Sequence, residues 1–230
     1  QQKDQSGIAS PPSTALQVTI DTAALAPGGL DLAAASDSGM SATDNLTRIR
    51  TPVITGNAEA GATVRLYDTN GVTFLGAGKA DASGAWSIRS GTLANGTHLL
   101  TARQTDLAGN VSTMSSALSV TIDATAPASP TVPNMIAASD SGASQADNIT
   151  SVRTPVFSGM AEANAAVSLY EGAKILGTTM ANASGAWSVA SDTLSDGKHV
   201  IQARATDTAG NSGTFSAGLQ VTIDNFAAPT

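Results

Sequence analysis

Apolar and polar residues alternate along short segments of this chain. In residues 118–122, Leu118, Val120 and Ile122 alternate with the polar Ser119 and Thr121. Such alternation places the apolar side chains on one face of a β-strand, whereas a helix repeats about every 3.6 residues. Similar segments lie at residues 64–67, 86–88 and 99–102. We therefore predict strands along the chain and no amphipathic helix.

The spacing of these segments predicts the fold class. Gly, Asn, Asp and Ser residues separate them at the intervals typical of an antiparallel β-sandwich of about seven strands. We predict an all-β chain that folds into two such sandwiches, joined end to end. Pro127 and Pro130 lie between the two and favour an extended, fairly stiff linker.

Two sandwiches are predicted because the sequence repeats itself. Asp37-Ser38-Gly39 returns as Asp140-Ser141-Gly142 with an offset of 103, and from Gly84-Ala85-Trp86-Ser87 onward the offset is 101. Between these points, residues 68–71 shorten to Glu171-Gly172. Hairpin turns tolerate changes of length, so this segment is predicted to be a surface turn.

A third, partial copy lies at the start of the chain, where residues 16–21 match residues 118–123. We interpret residues 1–21 as the last hairpin of a preceding repeat, residues 22–123 and 124–224 as repeats 1 and 2, and residues 225–230 as the start of a further linker. The chain begins at Gln1 without methionine, so we expect it to be a piece of a longer array. Pairing with the edge of a neighbouring molecule would order the strand at residues 14–21.

Strand direction brings distant acidic residues together. With about seven antiparallel strands, the first and last strands of a repeat run in the same direction. The turn at residues 207–211, the turn around Glu162 and the turn at residues 182–185 then share the end that faces the preceding repeat. The linker brings Asp123 to this end, beside Asp207 and Asn211. The corresponding residues in repeat 1 are Asp21, Asp106 and Asn110, with Asp81 nearby.

A second acidic loop is predicted at the far end of each repeat. It carries Asp37, Asp44 and Asn45 in repeat 1, and Asp140, Asp147 and Asn148 in repeat 2. A curled loop would aim both of its carboxylates at one point.

Converging carboxylates repel one another unless a cation lies between them. Ca²⁺ binds six to eight carboxylate, amide and backbone oxygens without rigid geometry, so it suits these residues. The predicted calcium ligands are therefore twelve residues: Asp21, Asp106, Asn110, Asp123, Asp207 and Asn211 at the repeat starts, and Asp37, Asp44, Asn45, Asp140, Asp147 and Asn148 in the far loops. Asp and Asn are also common in turns because they hydrogen-bond their own backbone, and this alternative stays open for both clusters. Neither cluster has the spacing of an EF-hand.

Composition excludes several classes of function. The net charge of -7 and the 3% aromatic content argue against nucleic acid as a partner. The absence of cysteine excludes disulfides and thiol catalysis. No apolar run is long enough to insert into a membrane.

We predict no enzymatic activity. His98 and His199 occupy equivalent positions and lack a matching nucleophile, so a structural role is expected. Trp86 and Trp187 are predicted core residues. The segment at residues 71–79 is not a phosphate loop, because Ala80 follows Gly-Lys where such a loop has Ser or Thr.

Several motifs occur twice in the same order: Asp-Ser-Gly, Asp-Asn-(Ile/Leu)-Thr, Thr-Pro, Gly-Ala-Trp-Ser, Asp-x-Ala-Gly-Asn and Val-Thr-Ile-Asp. This ordered set resembles the bacterial Ig-like repeats of giant surface adhesins and biofilm-associated proteins, which are exported by type I secretion. The resemblance covers nearly the whole chain. The leading copy at residues 4–8 departs from it, because it lacks the final asparagine.

The resemblance implies tandem Ig-like sandwiches in the extracellular stalk of a bacterial cell-surface adhesin. In such a stalk, Ca²⁺ at the junctions stiffens the array for adhesion or biofilm formation, and neighbouring repeats of the same chain are the partners. Other parts of the parent protein would bind the host or abiotic surface.

Three alternatives remain open. A module that binds a carbohydrate or a host protein would show an exposed aromatic residue or a long loop in one repeat only, and we expect neither here. An accessory module of a secreted polysaccharide-degrading enzyme would share the same sandwich. A stalk stiffened by proline alone would need no metal.

Overall fold

The computed structural model describes residues 2–3, 5–69 and 71–225. The predictions that involve Gln1, Asp4, Asn70 and residues 226–230 fall outside the described residues. Within these limits repeat 1 contains the strands β1 (Gly28–Leu32), β2 (Leu46–Thr47), β3 (Val53–Asn57), β4 (Thr63–Asp68), β5 (Thr73–Lys79), β6 (Ala85–Arg89), β7 (Gly96–Thr105) and β8 (Leu118–Ile122). Repeat 2 contains β9 (Asn134–Met135), β10 (Ile149–Thr150), β11 (Val156–Met160), β12 (Ala166–Glu171), β13 (Lys174–Met180), β14 (Ala186–Ala190), β15 (Gly197–Thr206) and β16 (Leu219–Ile223).

Each repeat is a sandwich of two sheets, which confirms the predicted all-β fold with two tandem sandwiches. In repeat 1 the sheets have the orders β1-β3-β6 and β2-β8-β7-β4-β5, and in repeat 2 the orders β9-β11-β14 and β10-β16-β15-β12-β13. The strand pairs are antiparallel, except that the short β2 and β10 lie parallel to β8 and β16. These short strands directly follow the acidic loops at residues 37–45 and 140–148.

The alternating pattern fills the core between the two sheets. In β4, Val64 and Leu66 are fully buried, whereas Arg65 between them is exposed. A buried Val or Leu side chain contributes about 1.5–3 kcal/mol to folding, so each strand is fixed with this face inward. A one-residue shift of register would reverse the two faces.

Trp86 and Trp187 belong to the two cores, with 3% and 4% of their surface exposed, as predicted. Each indole lies over a glycine on the neighbouring strand. A Cβ atom added to Gly56 would lie 2.5 Å from Cζ2 of Trp86, and the same holds for Gly159 and Trp187. The glycine is therefore required by the close approach of the ring.

The shortened segment is a hairpin turn, as predicted. In repeat 1 the β4–β5 hairpin closes at Asp68 and Thr73, and in repeat 2 the equivalent hairpin closes at Glu171 and Lys174. The repeats therefore differ in length at a turn while their sheets stay the same.

Residues 14–21 form no strand, although their sequence matches β8. Leu16, Val18 and Ile20 are 87%, 72% and 85% exposed, whereas Val120 and Ile122 of β8 are buried. The apolar face lacks a sheet to pack on, and its pairing with a neighbouring molecule stays a prediction. No helix among the described residues has the length and apolar character needed to span a membrane.

Candidate metal centre at the repeat ends

The turn at residues 207–211 is closed by its first and last side chains. The Asn211 backbone amide donates to Oδ1 of Asp207 at 2.8 Å, and its side-chain amide donates to Oδ2 at 2.9 Å. Gly210 has a φ of 90°, which residues with a side chain rarely adopt. Asp106 and Asn110 form the same turn in repeat 1, with both bonds at 2.8 Å.

The same asparagine holds the linker that enters each repeat. Nδ2 of Asn211 donates to the Asp123 carbonyl at 2.8 Å, and Nδ2 of Asn110 donates to the Asp21 carbonyl at 3.1 Å. The structure thus places the linker and the turn side by side. Both asparagines act here as hydrogen-bond donors, and their role as metal ligands stays a prediction.

Three carboxylates meet at the start of repeat 1. Oxygen atoms of Asp21, Glu59 and Asp106 all lie within 4.8 Å of one another. This is about twice the Ca–O distance of about 2.4 Å, so one ion could contact all three. Hydrogen bonding from the Asn110 side chain holds the pKa of the Asp106 carboxyl below its usual value. Asp106 is therefore ionised at neutral pH, as a metal ligand must be.

Neither Glu59 nor the hydrogen bonds that hold its side chain were predicted from the sequence. Nε2 of Gln104 donates to Oε1 of Glu59 at 2.8 Å, and the Leu25 amide donates to the same oxygen at 2.7 Å. Gln104 is almost fully buried, so it holds the glutamate in one position. The available signal was the recurrence of Glu59 as Glu162 at the offset of 103.

Among the described residues of repeat 2, the equivalent carboxylates do not form such a group. Ala205 stands at the position of Gln104, and Glu162 is exposed. Without the glutamine amide, no hydrogen bond among the described residues points the Glu162 side chain toward Asp123 and Asp207. The two repeat starts therefore differ, although the sequence predicts the same site in each.

The loops at residues 37–45 and 140–148 each bury one carboxylate. Asp37 is 6% exposed and Asp140 is 2% exposed. Oδ2 of each accepts the backbone amide of Asn45 or Asn148, at 3.3 and 3.2 Å. Oδ1 of each is buried and accepts no hydrogen bond among the described residues. A buried carboxylate oxygen without a partner is costly, and a cation would satisfy it.

The electrostatics of the first loop also favour a cation. Burial raises the pKa of the Asp37 carboxyl, and the negative charge of Asp44 adds to this effect. Asp44 and Asp147 accept the amides of Leu46 and Ile149 at 3.0 and 3.1 Å. These two aspartates therefore hydrogen-bond the first residues of β2 and β10. This is the role expected if they stand in a turn only to bind the nearby backbone.

The loop of repeat 1 contacts the turn of repeat 2. The Ser38 hydroxyl donates to the Ala209 carbonyl at 2.9 Å, and the Met40 amide donates to the Thr208 carbonyl at 3.3 Å. Gly39 lies against this turn so closely that an added Cβ would collide with the Thr208 carbonyl oxygen. The sequence did not predict this contact. It places Asp37, Asp44, Asp123 and Asp207 at one junction.

The Asp81 side chain forms its hydrogen bonds within the turn that connects β5 to β6. Its Oδ1 accepts the amide and the hydroxyl of Ser83 at 2.7 and 2.6 Å. Asn182 forms the same two bonds with Ser184, at 2.9 and 2.7 Å. An amide replaces the carboxylate at this position without changing the turn. The hydrogen bonds of the turn are therefore enough to account for Asp81.

A family model described as bacterial Ig-like domain matches residues 24–124 and 126–225. No curated protein sequence matches the chain significantly.

Several solved structures are similar to the chain. A Ca²⁺-stabilised adhesin with which an Antarctic bacterium binds ice is 25% identical, with 90% of this chain and 51% of that chain covered, at a TM-score of 0.40. A biofilm-associated protein domain is 17% identical, with 80% and 29% covered, at a TM-score of 0.31. Fibronectin(III)-like modules of Clostridium thermocellum CbhA are 14% identical, with 85% and 94% covered, at a TM-score of 0.46. This chain therefore spans about half or less of the two adhesin-type chains.

Proposed function

Because this chain belongs to the bacterial Ig-like domain family, we propose that its two repeats form a spacer segment of a bacterial surface adhesin. The spacer lies outside the cell, carries no catalytic step and holds a binding region at a distance from the surface. Its partners are the neighbouring repeats of the same chain. The ligand on the host or abiotic surface is bound elsewhere in the parent protein.

We further propose that Ca²⁺ binds at the ends of the repeats and stiffens the array. The observation that carries this proposal is the group formed by Asp21, Glu59 and Asp106, whose oxygens lie within 4.8 Å of one another. These residues come from a linker and two turns, so an ion shared by them would join the linker to the body of the repeat.

The junction between the repeats supports the same proposal. Oδ1 of Asp37 is buried without a hydrogen bond, and the loop that carries it contacts the turn at residues 207–211. In a chain with a net charge of -7, a divalent cation would relieve the repulsion between carboxylates at this junction. Hydrogen bonds already join the two repeats there, and the proposed ion adds to them.

Calorimetric titration with CaCl₂ tests the proposal. Asp106→Asn and Glu59→Gln should each weaken binding at the start of repeat 1 more than about tenfold, because the number of carboxylates sets the affinity of oxygen sites. Asp81→Asn is the matched control, since Asn182 already fills the equivalent position. It should bind calcium like the wild type.

The titration also separates the proposal from a metal-free stalk. If the wild type releases no binding heat at millimolar CaCl₂, or if Asp106→Asn and Asp81→Asn bind equally well, the calcium proposal is wrong. In that case the hydrogen bonds of Asn110 and Asn211 would hold the linkers alone.

A further inference from the structure

Two arginines face each other on the outer surface of the five-stranded sheet of repeat 1. Arg65 of β4 and Arg103 of β7 are direct register partners, and both side chains are exposed. Like charges directly opposite one another destabilise a strand pair. Among the described residues, neither guanidinium forms an ion pair with a carboxylate. An acidic chain thus carries a pair of positive charges that the carboxylates among the described residues do not neutralise.

The two arginines line a groove of about 250 Å³. Tyr67 forms one side of it, and Val111, which is 53% exposed, lies at the other. Phe74 packs edge-on against Tyr67, with ring centroids 5.9 Å apart. The Arg65 guanidinium lies 6.0 Å from the centre of the Phe74 ring. Phe74 therefore holds both the tyrosine ring and one of the charges in place.

Repeat 2 has the same strands without this arrangement. Ser168 stands at the position of Arg65, and it pairs with Arg204, the counterpart of Arg103. Nε of Arg204 donates to the Gly213 carbonyl at 2.8 Å, and its guanidinium lies 5.4 Å from the centre of the Phe215 ring. Arg204, the one arginine that repeat 2 keeps at this pair of positions, is therefore occupied by contacts within its own chain.

Phe215 also covers the surface that is open in repeat 1. Its ring packs edge-on against Tyr170, with centroids 5.0 Å apart. The equivalent residue in repeat 1 is Met114, whose Cε lies beside Gly71 instead. The exchange of Met114 for Phe215 thus adds to the exchange of Arg65 for Ser168 in distinguishing the two surfaces.

Phe74 is an exposed aromatic residue that the sequence analysis missed. We expected no exposed aromatic residue confined to one repeat, but Phe74 is 56% exposed and its counterpart is Ile175. The error arose because the side of the hairpin on which residue 74 lies depends on a shift of register between Leu66 and Tyr67.

We propose that the groove formed by Arg65, Tyr67, Arg103 and Val111 binds a carboxylated sugar unit of an acidic polysaccharide. A guanidinium donates paired hydrogen bonds to a carboxylate, and two of them supply the charge that a uronic or sialic acid needs. The aromatic and apolar sides offer a surface for the C–H face of a sugar ring. The groove has room for a single ring, which favours a sugar over a larger partner.

Nucleic acid fits less well, since its backbone requires many clustered basic residues. This binding role is separate from the proposed spacer role and uses none of the proposed calcium ligands. Its failure would leave the calcium proposal standing, and the reverse is also true.

Titration of ¹⁵N-labelled protein with trigalacturonic acid tests the proposal. Backbone amide signals around Arg65, Tyr67 and Arg103 should shift, while those around Ser168, Tyr170 and Arg204 should not. Arg65→Ser and Met114→Phe should each weaken binding about tenfold or more, because one removes a charged hydrogen-bond donor and the other covers the groove. Both introduce residues that repeat 2 already carries, so the fold should be kept, as thermal melting will show.

Control experiments test which chemical groups the groove recognises. Arg89→Ser removes an exposed arginine from the other sheet and should bind like the wild type. Maltotriose, which has no carboxylate, should not bind. The proposal is overturned if Arg65→Ser binds trigalacturonic acid like the wild type, or if maltotriose binds as well. A hexaglutamate peptide that binds as tightly as the sugar acid would also overturn it, in favour of protein carboxylates.

Discussion

At the scale of single residues, each of the two histidines joins two parts of its sandwich by hydrogen bonds. Nδ1 of His98 lies 2.7 Å from Oδ2 of Asp68, and Nε2 lies 3.0 Å from the Ala94 carbonyl. Both neighbours are acceptors, so both ring nitrogens must carry a proton for the two bonds to form. His199 lies in the same way between Glu171 and the Ser195 carbonyl. These contacts support the structural role expected for both residues.

The double hydrogen bond predicts a pH dependence. Burial of the ring disfavours the charged form, but the Ala94 carbonyl and the Asp68 carboxylate outweigh this and raise the pKa of His98 above 6.5. A raised folded-state pKa gives stability that is complete below the unfolded-state pKa and is lost as the pH rises through the folded-state value. The free energy of unfolding of repeat 1 should therefore decrease as the pH rises above 6.5.

Proton NMR can follow this titration directly, since the chain contains only two histidines. His98 should titrate above 6.5 in the wild type and at a lower pH in Asp68→Asn, which lacks the carboxylate charge. A His98 signal that titrates below 6.5, or one that Asp68→Asn leaves unchanged, would contradict the proposed charged state.

At the scale of strands and turns, identical motifs give different sites because of one buried neighbour. Gln104 aims Glu59 at Asp21 and Asp106, whereas Ala205 offers no such hydrogen bond to Glu162. Supporting residues of this kind change metal affinity by about 10- to 100-fold. The starts of repeats 1 and 2 should accordingly differ in calcium affinity.

Gln104→Ala tests this difference, since it gives repeat 1 the residue that repeat 2 already has. It should lower calcium affinity at the start of repeat 1 by about tenfold or more in calorimetric titration. Gln202→Ala removes a half-buried glutamine that donates to the Ser216 carbonyl in repeat 2, and it should leave that affinity unchanged. Equal affinities for Gln104→Ala and the wild type would show that Glu59 needs no support.

The elements themselves could be predicted from the sequence because their causes are local. Alternation in β8, the glycine turn at residues 207–211 and the length change at residues 68–71 each depend on neighbours in the chain. The role of Gln104 depends on which residue of β7 faces Glu59, and periodicity does not specify that. For the same reason, the arginine pair on β4 and β7 became visible only with the register of the two strands.

At the scale of the whole molecule, the junction depends on close backbone contact. Gly39 has a φ of 115° and lies against the Thr208 carbonyl, so no side chain fits there. Gly142 occupies the equivalent loop of repeat 2 with a φ of 118°, and an added Cβ would meet nothing within 4 Å. Strand order within one repeat does not reveal this contact, which explains why the sequence did not predict it.

Substituting these two glycines separates the effect of the contact between the repeats from the effect of backbone strain. Gly39→Ala and Gly142→Ala should share the stability loss that comes from placing a side chain at a positive φ, and Gly39→Ala should lose more because its Cβ also collides with the Thr208 carbonyl. Only Gly39→Ala should also change the relative orientation of the repeats, measured by NMR residual dipolar couplings. Identical couplings in the two variants would show that the contact between Gly39 and the turn does not set the orientation.

Small-angle X-ray scattering, with calcium and with EDTA, tests the central claim most directly. Asp37→Asn removes the buried charge at the junction, and Asp140→Asn removes its counterpart in the equivalent loop of repeat 2. In calcium, the wild type and Asp140→Asn should have a single narrow distance distribution, which EDTA broadens. Asp37→Asn should be broad under both conditions. Superimposable wild-type curves in calcium and EDTA would contradict the claim that metal at the repeat ends stiffens the chain.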